Sequence, residues 1–214
     1  MAEPPGVREL FVAGAHTIVD AIADPSVGEA WDRPSVLEDQ LVSGLCGHLA
    51  RGGVWVVSDY LDAGTPVGPV EFASAGEYFE GFAASASPSD HQAIRDRGAA
   101  VAATGREALL IDLRDRLDAL ESELARLPGD HLIAVIAGRV MGLDDYLTTR
   151  IVEQAVHLDD LARSVGREPW ALSEDHVALA IAVGIDIARR RHGPAATLRA
   201  LYRRGWAEPA LPVL

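Results

Sequence analysis

Arg150-Ile151-Val152-Glu153-Gln154-Ala155-Val156-His157-Leu158-Asp159-Asp160-Leu161-Ala162 is the stretch on which the reading of this 214-residue chain turns. Upstream, Asp144-Asp145 set negative charge where a helix dipole favours it, and downstream Gly166 suits the end of a helix after Val165. One helix therefore spans the segment. On it Glu153 and His157 stand four apart, so their side chains leave the same face one turn apart, close enough to grip one ion. A metal needs a third donor from another element. His48 offers one, because Leu37, Leu41, Leu45, His48, Gly52 and Trp55 fall on a single apolar stripe of an earlier helix.

Two histidines and a carboxylate match a donor set of catalytic zinc sites, which keep a further position open for water or substrate. The same set suits iron or nickel. A Glu-x-x-x-His spacing also arises by chance on exposed helices, and a histidine on an apolar stripe is ordinarily a core residue bonded to a backbone carbonyl. Energetics favour the ion: burying one carboxylate and two imidazoles costs several kcal/mol unless each is paired, and a dication pairs with all three. Arg150 and Asp160 extend the same face. Asp160 either accepts an imidazole N–H from His157 or makes an exposed ion pair with Arg163, and Arg150 is in the same position of supporting residue or surface partner.

Outward from this stretch the chain reads as all-helical. Leu10, Ala13, Thr17 and Ala21 recur at helical spacing, predicting a first helix over Val7 to Ala23, stopped by Asp24-Pro25-Ser26. Ser35-x-x-Glu38 has the form of a capping box, which predicts a second helix from there to about Leu61. Residues 62–88, rich in Gly, Pro, Ser and Ala, read as a long excursion with a short aromatic piece from Glu77 to Phe82. Ser89-Asp90 offers the next cap, and Val101, Leu109, Leu113, Leu117, Leu120 and Leu124 predict one long third helix before Pro128-Gly129. His131 to Met141 suggests a short hairpin turning at Ala137-Gly138, or an extended connector. The fourth helix is the one quoted above. Ser173 caps a fifth ending at Arg191, Ala195 to Arg204 forms a sixth, and Glu208 to Leu214 reads as a tail. The expected organisation is a metal-binding bundle over 1–166 and a helical extension over 167–214.

Composition limits the function. Nineteen bases against 32 acids leave a net charge of −13, which disfavours a nucleic-acid partner. Arg189 to Arg191, the one dense basic run, suits a helix C-terminus. No uncharged run approaches the roughly 18 residues that span a bilayer, so no membrane contact is expected. The start of the chain has no basic leader region, and the apolar stretch after it is broken by His16 and Asp20, which predicts a cytoplasmic protein. The lone Cys46 excludes an intramolecular disulfide. It lies two residues from His48, about 200° round a helix, and reads as packing rather than as a ligand or nucleophile. His16, His91, His131, His176 and His192 lack partner spacing and read as surface or capping residues. Leu179, Ile181 and Leu198 either pack on the bundle or form a homodimer surface.

Trp31-Asp32-Arg33-Pro34-Ser35 leading to Leu45-Cys46-Gly47-His48-Leu49, taken with Arg150, Glu153, His157, Asp160-Leu161-Ala162 and Gly166, resembles the DinB/YfiT-like superfamily, and within it the N-terminal domain of mycothiol-dependent maleylpyruvate isomerases. The resemblance covers about residues 7–166. It implies a four-helix bundle with long inter-helix connections holding a divalent metal, usually zinc, through His48, Glu153 and His157. It also implies a low-molecular-weight thiol as co-substrate, with a small electrophile as the second reactant. The absence of lysine and asparagine, whose codons are AT-rich, points to a GC-rich genome and favours mycothiol as that thiol. A thiol entering the open position of such a site would lose its proton to the field of the ion. The thiolate could then add to an electrophilic carbon, giving conjugation or, after rotation and collapse of the adduct, isomerisation. The stretch after Gly166 is too short for the second domain that supplies an arginine in the isomerases, so maleylpyruvate itself is not the expected substrate.

Overall fold

The structure, a computed structural model, describes residues 5–85 and 87–203. Helix α1 (Val7–Ala23) buries Leu10, Phe11, Ile18 and Ile22 along one face. Asp24 ends it and caps the short α2 (Pro25–Glu29), its carboxylate accepting from the Ser26 backbone at 2.9 Å. The next long rod runs as α3 (Val42–Ala50), a π-helical turn (Arg51–Trp55) and α4 (Val56–Asp62). Two further rods, α7 (Arg106–Leu124) and α8 (Leu143–Ser164), complete a bundle. In α7 the leucines at 109, 113, 117, 120 and 124 all face the core, one per turn or nearly so. Arg8 ties the bundle end together, donating to the carbonyls of Leu124, Leu127 and Pro128 at 2.9, 2.6 and 2.7 Å and to Asp144 at 2.8 Å. The Leu124 carbonyl is one of those that the end of α7 leaves free, and the other two belong to the loop after it.

Several expectations are corrected. The second helix starts at Val42 rather than Ser35. The Ser35 hydroxyl does accept a backbone N–H, but from Leu37, in a local turn; the segment closes by a Pro34–Leu41 bridge with Asp39 at φ 57°. The long third helix is two helices, α6 (Pro88–Ala102) and α7, because Gly105 takes φ +88° and breaks the path. Ser87, not Ser89, caps α6 in a capping box with Asp90. The excursion over 62–88 contains a full helix, α5 (Ala75–Ser85). The alternatives at 131–141 resolve into a hairpin, β1 (Leu132–Ala134) antiparallel to β2 (Val140–Gly142), with Ala137 and Gly138 both at positive φ in the turn.

Two peripheral helices follow, α9 (Glu174–His192), capped by Ser173, and α10 (Pro194–Tyr202). The expected tail at 208–214 lies outside the described residues. Helix α9 packs on α5 and α8, and Arg190 clamps it to α5 through Glu77 at 3.3 Å and its own Asp186 at 2.6 Å. Leu179 packs against the core, whereas Ile181 and Leu198 are 58% and 57% exposed. His176 is a correction too: it is 1% exposed, with Nε2 against the Ile151 carbonyl at 3.2 Å, and burial holds its titration below the usual histidine range. No described helix is long and apolar enough to cross a membrane.

Candidate metal centre

The centre lies where α3 faces α8. Helix α3 approaches α6 closely on its other side: a Cβ at Gly47 would stand 2.0 Å from the Gly98 carbonyl oxygen, and one at Gly98 would stand 2.8 Å from that of Gly44. Only glycine permits this crossing, which seats the residue after Gly47, His48, toward α8. The π turn then widens the rod by one residue per turn, a departure often found at functional sites. Its glycines serve α8 directly. The Gly52 carbonyl accepts from Arg150 Nη1 at 2.9 Å and the Gly53 carbonyl from Gln154 Nε2 at 3.0 Å. Gly52 also leaves space for the His48 ring, whose Cε1 would stand 3.3 Å from a Cβ there.

His48, Glu153 and His157 meet at this point. Glu153 Oε2 lies 3.3 Å from His48 Nε2 and 3.5 Å from His157 Nε2, and one ligand atom from each residue falls within 4.8 Å of the other two. The imidazoles stand edge to face, with centroids 4.7 Å apart. The side chains are 17%, 21% and 22% exposed, so the cluster is shielded yet reachable. A zinc ion held at about 2.0–2.1 Å by tetrahedral donors spans donor–donor edges of about 3.4 Å. The 3.3 and 3.5 Å separations fit that edge, and the three donor types suit the ion.

Electrostatics act on the donors in opposite senses: Glu153 is held ionised, whereas His157 must give up a proton to bind an ion. Burial pushes the Glu153 carboxyl up, but hydrogen bonds from His157 and His48 and the charge of Arg150 outweigh it and hold the group well below the usual carboxylate range. Burial also disfavours a charged His157, while its hydrogen bonds to Asp160 and Glu153 push its titration up to about 9. Asp160 Oδ2 sits 3.0 Å from His157 Nδ1, leaving Nε2 turned to the cluster, and Arg163 stands farther off at 3.9 Å. Of the two partners expected for Asp160, His157 is therefore the nearer. Arg150 hydrogen-bonds to neither histidine among the described residues. It donates to Gly52 and to Thr149 Oγ1 at 2.9 Å each, and its guanidinium lies 4.8 Å from the centre of the Tyr146 ring. Cys46 is wholly buried and its thiol is pushed up by that burial, which removes it as a nucleophile.

Sequence reading missed Gln154, which is fully buried and bridges α8 to the carbonyls of Phe11 and Gly53 at 3.2 and 3.0 Å. It also missed Tyr60, Tyr78 and Tyr146, which line a cavity beside the cluster. The Gly52-Gly53 pair inside a helical pattern was the available signal for the π turn.

The family described as Mycothiol maleylpyruvate isomerase N-terminal domain matches residues 12–162, more than half of the chain. The chain belongs to this family. The mycothiol maleylpyruvate isomerase N-terminal domain family is DinB/YfiT-like, in keeping with the helical bundle. Its match contains the whole His48–Glu153–His157 cluster and ends just before Gly166. No curated protein and no solved structure matches the chain.

Proposed function

We propose that this protein is a divalent-metal-dependent enzyme of thiol chemistry, a transferase or isomerase that uses a low-molecular-weight thiol, mycothiol in the first instance, against a small electrophile. The observation that carries this reading is the convergence of one ligand atom each from His48, Glu153 and His157 within 4.8 Å at the edge of open space. Those three residues are the ligands, zinc is the ion that fits them best, and nickel or iron are the alternatives. When bound, the dication supplies the field that ionises a thiol at neutral pH. The chain supplies the rest. Asp160 accepts the His157 Nδ1 proton and keeps Nε2 as the donor. Arg150 and Gln154 lock α8 to the π turn that follows His48, so the donors keep their separation. Phe79 and Phe82 border the cluster and limit water around the reacting sulfur.

The cluster contains three donors among the described residues, and cavities of about 170, 370 and 500 Å³ border it. That openness favours a reactive centre over an ion that merely staples helices, which would be closed by a fourth protein donor. Residues 1–166 are the functional unit in this proposal and 167–214 its helical extension. A reducing compartment, the cytoplasm, suits both the chemistry and the single buried cysteine. The test is conjugation of mycothiol to a chromogenic alkylating electrophile by metal-loaded and chelator-stripped protein. Turnover is expected from the loaded form alone; equal rates, or none in either form, would remove the enzymatic reading.

A further inference from the structure

A second feature adjoins the triad and is made of different chemistry. The cavity of about 170 Å³ has five aromatic rings in its wall: Tyr60, Tyr78, Phe79, Phe82 and Tyr146. The tyrosines form one edge-to-face array, Tyr60 to Tyr146 at 5.2 Å and Tyr78 to Tyr146 at 5.7 Å. Into the same space come three guanidinium groups, Arg51 and Arg150 from either side of the α8–π-turn contact and Arg97 from α6. Glu153 is the single carboxylate of the lining, and its one charge is shared among His48, His157 and Arg150, which leaves the arginines in excess.

The arginines are unevenly committed. Arg150 is 6% exposed and uses Nε and Nη1 on Thr149 and Gly52, while Nη2 donates no hydrogen bond among the described residues. Arg51 has one ion pair, to Asp59 at 3.5 Å, between side chains 33% and 47% exposed. A pair of that length and exposure holds a guanidinium weakly. Arg97 makes neither a hydrogen bond nor an ion pair among the described residues. Arg150 holds α8 to the π turn and stacks on Tyr146, and its remaining donor, flanked by two guanidinium-bearing side chains with weaker engagements, suits an incoming anion.

Size and wall chemistry narrow the anion. A sealed apolar cavity of about 150 Å³ holds one benzene ring. The space here is slightly larger and open at one side, so it accommodates a single ring with one planar substituent. Aromatic walls favour a planar, polarisable body set edge to face, and a guanidinium fork matches a carboxylate plane in two hydrogen bonds. We infer that the cavity lined by Arg51, Arg97 and Arg150 and by the tyrosine array is a binding site for a one-ring aromatic carboxylate. The ring lies among Tyr60, Tyr78 and Tyr146, and the carboxylate faces the arginines, beside the triad. His48 and Glu153 also line this cavity, but no ion takes part in the binding, so the inference does not depend on the metal reading.

The test uses the full chain stripped by chelator, which keeps a carboxylate from binding any ion, and titrates it with benzoate, benzamide and acetate by tyrosine fluorescence and calorimetry. Benzoate is expected to bind at least tenfold more tightly than either of the others, since benzamide lacks the charge and acetate the ring. Arg97→Gln and Arg51→Gln, both at accessible positions, are each expected to weaken benzoate roughly fivefold, as loss of one partly exposed charge partner does, and the double variant more, with unchanged melting temperature. Benzoate binding no tighter than benzamide or acetate would overturn the assignment, as would an unchanged affinity in the folded double variant. Because no ion is present, failure here leaves the metal reading standing, and failure of the metal reading leaves this result standing.

Discussion

Gly47→Ala tests whether helix crossing positions the centre. Alanine in a helix interior ordinarily stabilises by about 1 kcal/mol relative to glycine. Here its methyl would lie 2.0 Å from the Gly98 carbonyl oxygen and 3.2 Å from the Ala102 nitrogen, both backbone atoms of α6 that cannot rotate away. Bringing the first contact to a tolerable separation needs α3 and α6 to part by roughly 1 Å, and overpacking of that kind costs about 3 kcal/mol at the upper end of its range. The net loss is about 2 kcal/mol. For a chain of this size that lowers the melting temperature by roughly 4–8 °C. Gly44→Ala is the internal comparison, since its methyl would meet only the mobile Gln40 side chain at 3.3 Å. That variant is expected to gain up to about 1 kcal/mol. Thermal unfolding followed by circular dichroism reads both. A Gly47→Ala protein as stable as the parent, or a Gly44→Ala protein that falls with it, would refute the crossing argument.

Two other outcomes are expected. In metal-free protein the His157 titration stands at about 9 against an ordinary 6.5, so its contribution of about 3 kcal/mol is fully present below pH 6.5 and is lost as pH rises through 9. Denaturant unfolding at pH 6.5 and pH 9.5 should show that loss, and His157→Gln should flatten it; a parent protein more stable at the higher pH would contradict the assignment. Cys46, buried and with its thiol pushed up, should resist a thiol reagent in native buffer and react fully in denaturant, read by absorbance, and prompt native labelling would contradict its placement in the core.

What could be read in advance was what local chemistry writes locally. Ser173 and Gly193 bound α9, and Gly166 follows α8, because caps and positive-φ glycines act within a few residues. The triad was legible for the same reason: Glu153 and His157 are set by helical period, and His48 by the apolar stripe it shares. Ser35 misled because an ST turn and a capping box begin with the same hydroxyl, and only the Pro34–Leu41 closure distinguishes them. Gly105 alone split the third helix, where Val101 before it and the leucines after it kept the period intact. His176 lacked any near partner in sequence, since the Ile151 carbonyl it meets belongs to another helix. Gln154 and the tyrosine array escaped notice for that reason as well: the partners of Gln154 come from α1 and the π turn, and the tyrosines from α4, α5 and α8.

Elemental analysis of protein purified without added metal, run beside His48→Ala and His157→Ala, bears on the whole functional account. About one divalent ion per parent chain and almost none in either folded variant is the predicted pattern. An ion-free parent, or variants that retain as much metal as the parent, would show that the His48–Glu153–His157 cluster is a self-paired packing element and holds no ion.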